Sequence, residues 1–158
     1  MDEQIVPGEP GWHKTHIERY LTTDGREGHY LALTFSPEPE PRAVSCLVLK
    51  TIGRKSGKAR LNALVYGADR EHFVIVASRG GAGEHPAWYL NLRDNPDVEF
   101  QIGERKYRGR ATVAKGLERV RLFEMMAAAF PPYHDYQQKV DREIPVITLL
   151  PIAEIEAL

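Results

Sequence analysis

Lys50-Thr51-Ile52-Gly53-Arg54-Lys55-Ser56-Gly57-Lys58-Ala59-Arg60 is the stretch on which the reading of this chain turns. Apolar runs flank it, residues 44–51 before and 60–66 after, each of strand rather than helix length. Two glycines let the connection close tightly with backbone N–H groups exposed. Five cations, Lys50, Arg54, Lys55, Lys58 and Arg60, fall within eleven residues, with no acid among them. Ser56 adds a hydroxyl donor, and the arginines can fork onto phosphate oxygens. Such a turn suits a phosphodiester or polycarboxylate. A solvated hairpin, which also attracts Gly, Ser and Lys, is the plainer alternative. The Gly-x-x-x-x-Gly-Lys-Ser/Thr order is absent and a strand follows, so this is no nucleotide P-loop.

The same pattern continues on both sides. Residues 30–35, closed by a Pro-rich loop, 73–77, 98–102, 107–114 and 146–150 read as further strands, with a turn at 67–71. Residues 73–77 are apolar on both faces and therefore central. Ile17, Tyr20 and Leu21 stand at i, i+3, i+4 and predict a short helix ending near Asp24-Gly25. Pro86 opens a second helix that stops at Asn95-Pro96. A third covers 117–130, with Leu117, Val120, Met126, Ala127 and Phe130 on one side and Pro131-Pro132 as its end. Six to seven mostly antiparallel strands with two or three helices describe an α+β barrel with helices on its flank. Residues 1–29 are a lead-in with a short helix, and 30–158 are expected to form a single domain.

Two more segments carry chemistry. Ala77-Ser78-Arg79-Gly80-Gly81-Ala82-Gly83-Glu84-His85 follows the central strand, and its glycines let a flat ring approach the backbone. Trp88 and Tyr89 either wall such a ring or pack in the core. Tyr133 and Tyr136, at i, i+3, share a face if a helical turn forms, and a phenol can bond or protonate an oxygen. The alternative is surface packing. His85 reads as a helix-start residue rather than a base. His13 and His16 lack a third ligand at a convincing spacing, so no metal is expected. Lys106, Arg108 and Arg110 read as a hairpin face that meets water. No Gly-x-Ser-x-Gly elbow or carboxylate pair supports hydrolysis.

The 158 residues carry a net charge of −1, which argues against nucleic acid as a partner. The single cysteine, Cys46, sits in an apolar run and reads as a buried hydrophobe. Met1-Asp2-Glu3-Gln4 has no cationic segment of the secretory type, and no apolar run approaches bilayer length. The expected location is cytoplasmic, with peripheral contact at the inner membrane face through the N-terminal helix left open.

Taken in order, several of these segments resemble one family, the deazaflavin-dependent nitroreductases, also described as deazaflavin-dependent quinone reductases. The match is carried by residues 51–57, Arg60, 77–81, His85-Pro86-Ala87-Trp88-Tyr89-Leu90-Asn91-Leu92, Asn95-Pro96, Tyr133-His134-Asp135-Tyr136-Gln137 and Arg142-Glu143-Ile144-Pro145-Val146. It spans roughly residues 44–151. The resemblance implies a split β-barrel of the flavin-reductase and pyridoxamine-phosphate-oxidase type. It implies reduced coenzyme F-420, an 8-hydroxy-5-deazaflavin with a phosphate and an acidic tail, as hydride donor. The acceptor would be a small electron-poor molecule: an activated alkene or enone, a quinone or a nitroaromatic. By position, Arg54, Lys55, Ser56 and Arg60 would hold the phosphate end. Leu61, Asn62, Ala63, Leu64, Val65, Ala77, Ser78, Arg79, Ala87, Trp88, Tyr89 and Asn91 would line the deazaflavin. Ser78, Tyr133 and Tyr136 would act at the reacting oxygen. Arg79 stands where lysine is expected, and Phe130 where some members carry tyrosine. Alternatives are a non-catalytic deazaflavin-, haem- or fatty-acid-binding barrel and a reductase using flavin mononucleotide (FMN). The chain would be a monomer or a dimer.

Overall fold

The computed structural model describes residues 5–158, so the acidic start Met1-Asp2-Glu3-Gln4 lies outside the described residues. Helix α1 (Trp12–Thr22) precedes β1 (Tyr30–Leu33), β2 (Arg42–Ile52), β3 (Ala59–Val65), β4 (Gly67–Asp69) and β5 (His72–Val76). A 3₁₀ turn (Arg79–Gly81) and α2 (Ala87–Asp94) lead to the hairpin β6 (Asp97–Ile102) and β7 (Arg105–Val113). Helices α3 (Gly116–Ala129) and α4 (Pro132–Lys139) and strand β8 (Val146–Ile155) complete the chain. The eight strands form one antiparallel sheet in the order β1-β2-β6-β7-β8-β5-β4, with β3 also paired to β2. It curls into the half-open wall of a split barrel.

Strand β2 shows why its sequence is apolar without alternation. Leu47 and Leu49 enter one core, with Ile75, Phe100, Ile147, Leu149 and the α2 residues Trp88, Tyr89 and Leu92. Val44, Cys46 and Val48 point the other way, against Tyr20 of α1. A strand buried on both faces loses the period-two signal. The same holds for β5, whose Val74 and Val76 meet Leu122, Phe123, Met126 and Ala127 of α3 and Tyr133 of α4. Helices therefore cover the sheet on its convex side, and α2 closes the inner core.

Tyr20 anchors α1. It is completely buried, its hydroxyl donates to the Cys46 carbonyl (2.8 Å) and accepts the Gly103 N–H (2.8 Å). Burial of a side chain this large is worth about 2 kcal/mol or more. Cys46 is buried as expected, and desolvation pushes its thiol up to about 12.

Five expectations need correction. A turn was expected over 67–71, but Gly67–Asp69 pairs with β5 as an eighth strand; three residues are too few to display alternation. Strand β8 continues through Pro151 to Ile155, because Pro151 falls opposite Gly109 at a register shift where no ladder N–H is required. On α3, Leu117 is 87% exposed and Val120 52% exposed, and the buried face is Leu122, Phe123, Met126 and Ala127. The expected stripe combined two helix faces: only the C-terminal part of α3 lies over β5, and its first turn overhangs. Lys106 does not simply meet water; it pairs with Asp24 (3.0 Å) under the end of α1, while Arg108 and Arg110 are exposed. A fourth helix, α4, also exceeds the expected two or three.

Candidate active site

The basic turn joins β2 to β3, whose register runs from Cys46↔Val65 to Ile52↔Ala59. Gly53 N–H donates to the Lys58 carbonyl and Gly57 N–H to the Gly53 carbonyl, both at 2.8 Å. A Cβ on Gly53 would lie 2.6 Å from Ser56 Oγ and 3.2 Å from the Lys58 carbonyl, so a side chain there would displace the Ser56 hydroxyl. Ser56 Oγ accepts the Lys58 N–H (3.2 Å), which leaves its proton for a ligand. Lys50 pairs with Glu99 (3.5 Å). Arg54, Lys55, Lys58 and Arg60 are exposed, and none has an ion-pair partner among the described residues. Four uncompensated cations on one turn form a local field attractive to anions despite the net charge of −1.

Asn91 links α2 to this turn. It is 4% exposed; its Oδ1 accepts the Arg54 N–H (3.1 Å) and Arg54 Nη1 (3.3 Å), and its Nδ2 donates to Thr51 Oγ1 (3.3 Å). The amide thus aims Arg54 rather than standing free to meet a ring. β3 pairs on one edge only, with β2. Antiparallel alternation, fixed by Tyr66 N–H on the Ser45 carbonyl, turns the backbone groups of Leu61, Ala63 and Val65 to the open edge. Leu61 is 36% exposed, Asn62, Ala63, Leu64 and Val65 are half-buried, and Leu64 packs onto the inner core.

The second loop begins where β5 ends. Ala77 is buried, and its N–H donates to the Pro145 carbonyl (2.9 Å). Ser78 is 8% exposed and Arg79 is exposed, paired with Glu84 (3.2 Å). Arg79 has φ +47°, and Gly80 and Gly81 are also positive at +62° and +84°. Ala87 is exposed, while Trp88 and Tyr89 are buried in the inner core and so support the loop from behind. Helix α4 packs on the 3₁₀ turn, and a Cβ on Gly81 would meet Tyr136 Cδ1 at 3.0 Å.

The two tyrosines differ. Tyr136 is half-buried beside Gly81; Tyr133, 4% exposed, sits among Val74, Phe123 and Met126. Their rings lie 6.4 Å apart, with Phe130 4.6 Å from Tyr133. Desolvation raises both phenol pKa values, so both hydroxyls hold their protons at neutral pH.

Arg142 is the functional candidate for which sequence reading assigned no role. It binds the loop carbonyls of Ala77, Ser78 and Ala82 and the Nδ1 of His85. No local pattern could have shown this, because 57 to 65 residues separate the partners. Arginine has no acceptor, so His85 Nδ1 accepts, and burial followed by the Arg142 charge lowers the His85 pKa. The His13/His16 pair resolves differently: His16 Nε2 donates to the Gly28 carbonyl (2.8 Å), and burial lowers its pKa. Among the described residues no group of three or more His, Cys, Asp or Glu is placed to hold a metal. Nor is any helix there long and apolar enough to cross a membrane.

The family model of the F420H(2)-dependent quinone reductases matches residues 12–151, which takes the likeness further toward the N-terminus than the 44–151 carried by motifs. An F420H(2)-dependent quinone reductase of Mycobacterium tuberculosis is 33% identical over 142 residues, covering 86% of this chain and 87% of the relative. A solved F420-H2-dependent reductase superposes with a TM-score of 0.62 at 37% identity, covering 66% of this chain and 92% of its own. A second solved chain, described as a domain-swapped dimer, has a TM-score of 0.64 at 33% identity and covers 86% and 92%. This chain belongs to the F420H(2)-dependent quinone reductase family, a split-barrel oxidoreductase family that takes its hydride from reduced coenzyme F-420.

Proposed function

We propose that this chain reduces a quinone, or an acceptor of similar electron demand, with coenzyme F-420 bound between the basic turn and the glycine loop. The observation that carries this reading is the set of exposed, unpaired cations at Arg54, Lys55, Lys58 and Arg60 beside an open strand edge. The donor set fits a phosphate with an acidic tail: two forked guanidinium groups, two ammonium groups and the free Ser56 proton. When bound, the reduced deazaflavin supplies the hydride, and the protein supplies binding, orientation and electrostatics.

Arg54, Lys55, Ser56 and Arg60 hold the phosphate end. The outward edge of Leu61, Ala63 and Val65, with Asn62 and Leu64 between them on β3, and the backbone of Ala77, Ser78 and Arg79 flank the ring. Trp88 and Tyr89 act from the core, as support. Asn91 aims Arg54. At the acceptor, Ser78 and Tyr136 can bond the oxygen on which negative charge develops, and Tyr136 keeps its proton available for it. Tyr133, buried, shapes the apolar wall behind Tyr136.

The test is fluorescence titration of the protein with oxidised coenzyme F-420, repeated on an Arg54→Ala, Lys55→Ala double variant. We expect micromolar or tighter binding that weakens tenfold or more in the variant, about 1.4 kcal/mol. Tyr136→Phe should then lower turnover with cofactor affinity unchanged. No binding to the wild type overturns the reading, and FMN and haem are the next ligands to titrate.

A further inference from the structure

Arg142 lies between α4 and β8 and holds the glycine loop by a four-point contact. Its Nε donates to the Ala82 carbonyl (3.1 Å) and its Nη2 to the Ser78 carbonyl (3.0 Å). Nη1 reaches both the Ala77 carbonyl (3.3 Å) and His85 Nδ1 (3.0 Å). Its own backbone carbonyl accepts from Gln137 Nε2 (2.8 Å), and Gln137 Oε1 accepts the Ile144 N–H (2.8 Å) and Arg119 Nη2 (3.0 Å). The clamp is therefore tied to α3 and α4 as well as to the loop.

The consequence follows from peptide geometry. In a trans peptide the C=O and the following N–H point in opposite directions. With the carbonyls of Ala77, Ser78 and Ala82 drawn onto the guanidinium, the N–H groups of Ser78, Arg79 and Gly83 aim away from it. None of these three N–H groups has a hydrogen-bond partner among the described residues. Ser78 is right-handed (φ −80°, ψ −32°) and Arg79 has φ +47°, a succession that gathers neighbouring N–H groups into a nest for an electron-rich atom. The far side of the loop is open: a Cβ on Gly80 or Gly83 would meet nothing within 4 Å. Arg79, a residue with a Cβ in a left-handed conformation, is strained, and such strain persists only where surrounding contacts over-determine it.

We infer that Arg142 is a positioning residue: by taking three loop carbonyls it presents the N–H groups of Ser78, Arg79 and Gly83 as a preformed donor nest for the oxygen-bearing edge of the bound heterocycle. The ligand half of this inference rests on the reading of the loop as the cofactor cradle. Lysine cannot substitute, since one ammonium does not reproduce a planar fork that spans three carbonyls.

The test has two arms on Arg142→Ala and Arg142→Lys. Hydrogen–deuterium exchange in ligand-free protein should show the bonded loop amides of Ala77, Gly81 and Ala82 exchanging at least tenfold faster in both variants, with the β2, β6 and β7 amides unchanged. Titration with oxidised coenzyme F-420 should show at least tenfold weaker binding in both, with millimolar guanidinium restoring part of the affinity of Arg142→Ala only. Unchanged loop exchange overturns the clamp. Faster exchange with unchanged affinity, or with weakened affinity that guanidinium does not restore, overturns the nest. If the wild type itself does not bind the cofactor, the proposed function fails, while the exchange arm still decides whether Arg142 holds the loop. Should Arg142→Ala not fold, Arg142→Lys carries both measurements.

Discussion

The basic turn and the glycine loop flank the same proposed ligand and solve opposite problems. The turn offers side chains: its cations are exposed, its backbone closes on itself, and one buried amide, Asn91, steadies Arg54. The loop offers backbone: its carbonyls are bound from behind by Arg142, and its unpartnered N–H groups face outward. Charge acts over distance and tolerates mobility, so the turn can be loosely held and still attract an anion. Hydrogen bonding to a ring edge requires fixed direction, so the loop must be rigid. The difference predicts that like substitutions in the two segments have unlike costs.

Glycine substitution separates them most widely. Gly57 in the turn has φ +71° and nothing within 4 Å of an added Cβ. Gly57→Ala should cost about 1 kcal/mol of backbone strain and leave turnover intact. Gly81 has φ +84°, and its Cβ would press on Tyr136 Cδ1 at 3.0 Å and Cα at 3.3 Å. Gly81→Ala should cost about 2–3 kcal/mol, because strain is compounded by displacement of α4. Turnover should fall more than tenfold. Thermal unfolding and steady-state kinetics on the two variants check this; equal losses would mean that the loop is no more constrained than the turn.

These two segments were not equally legible in the sequence. The turn declared itself, because five cations without an acid are a local pattern and the flanking apolar runs are local too. The strands of the sheet were legible for the same reason, apart from β4, too short to alternate, and the part of β8 hidden behind Pro151. The loop's glycines were visible, but the residue that shapes it was not: Arg142 acts across sixty residues on carbonyls that any sequence would supply. Tyr133 and Tyr136 looked equivalent at i, i+3, and only the packing of α4 on β5 and the 3₁₀ turn buries one and leaves the other beside Gly81. Leu117 and Val120 misled because an amphipathic period does not reveal which part of a helix overhangs its sheet.

Asn91 tests whether the two segments are coupled through α2. Its helix starts just after the glycine loop and ends its reach at Thr51 and Arg54. Asn91→Ala leaves the Arg54 N–H and Thr51 hydroxyl without this partner, a loss of about 1–2 kcal/mol. Cofactor affinity should fall about threefold to tenfold, since Arg54 keeps its charge but loses its aim. Exchange of residues 77–85 should stay as in the wild type. Faster exchange there would show that α2 transmits disorder from turn to loop, and the two would then have to be treated as one unit.

The smallest expected effect is that of pH, and it should belong to the loop alone. His85 faces the cations Arg142 and Arg93 and the ring of Tyr89, 4.7 Å away, and its pKa is lowered, first by burial and then by those charges. A lowered histidine pKa means that the opened loop takes up a proton more readily than the closed one. The closed loop's advantage is therefore fully present above the ordinary histidine value, about 6.5, and is lost as pH falls toward the lowered value. Protonation at Nδ1 would remove an acceptor from Arg142 and set two cations against each other. Because the imidazole is only partly buried, the expected loss of cofactor affinity between about pH 7.5 and pH 5 is no more than a few-fold. The basic turn holds no histidine or carboxylate, so the Arg54→Ala, Lys55→Ala variant should keep the same few-fold dependence on a weaker baseline, and His85→Gln should abolish it. A pH dependence that survives in His85→Gln would place the titrating group outside the loop and leave Arg142 holding three carbonyls without help from the imidazole.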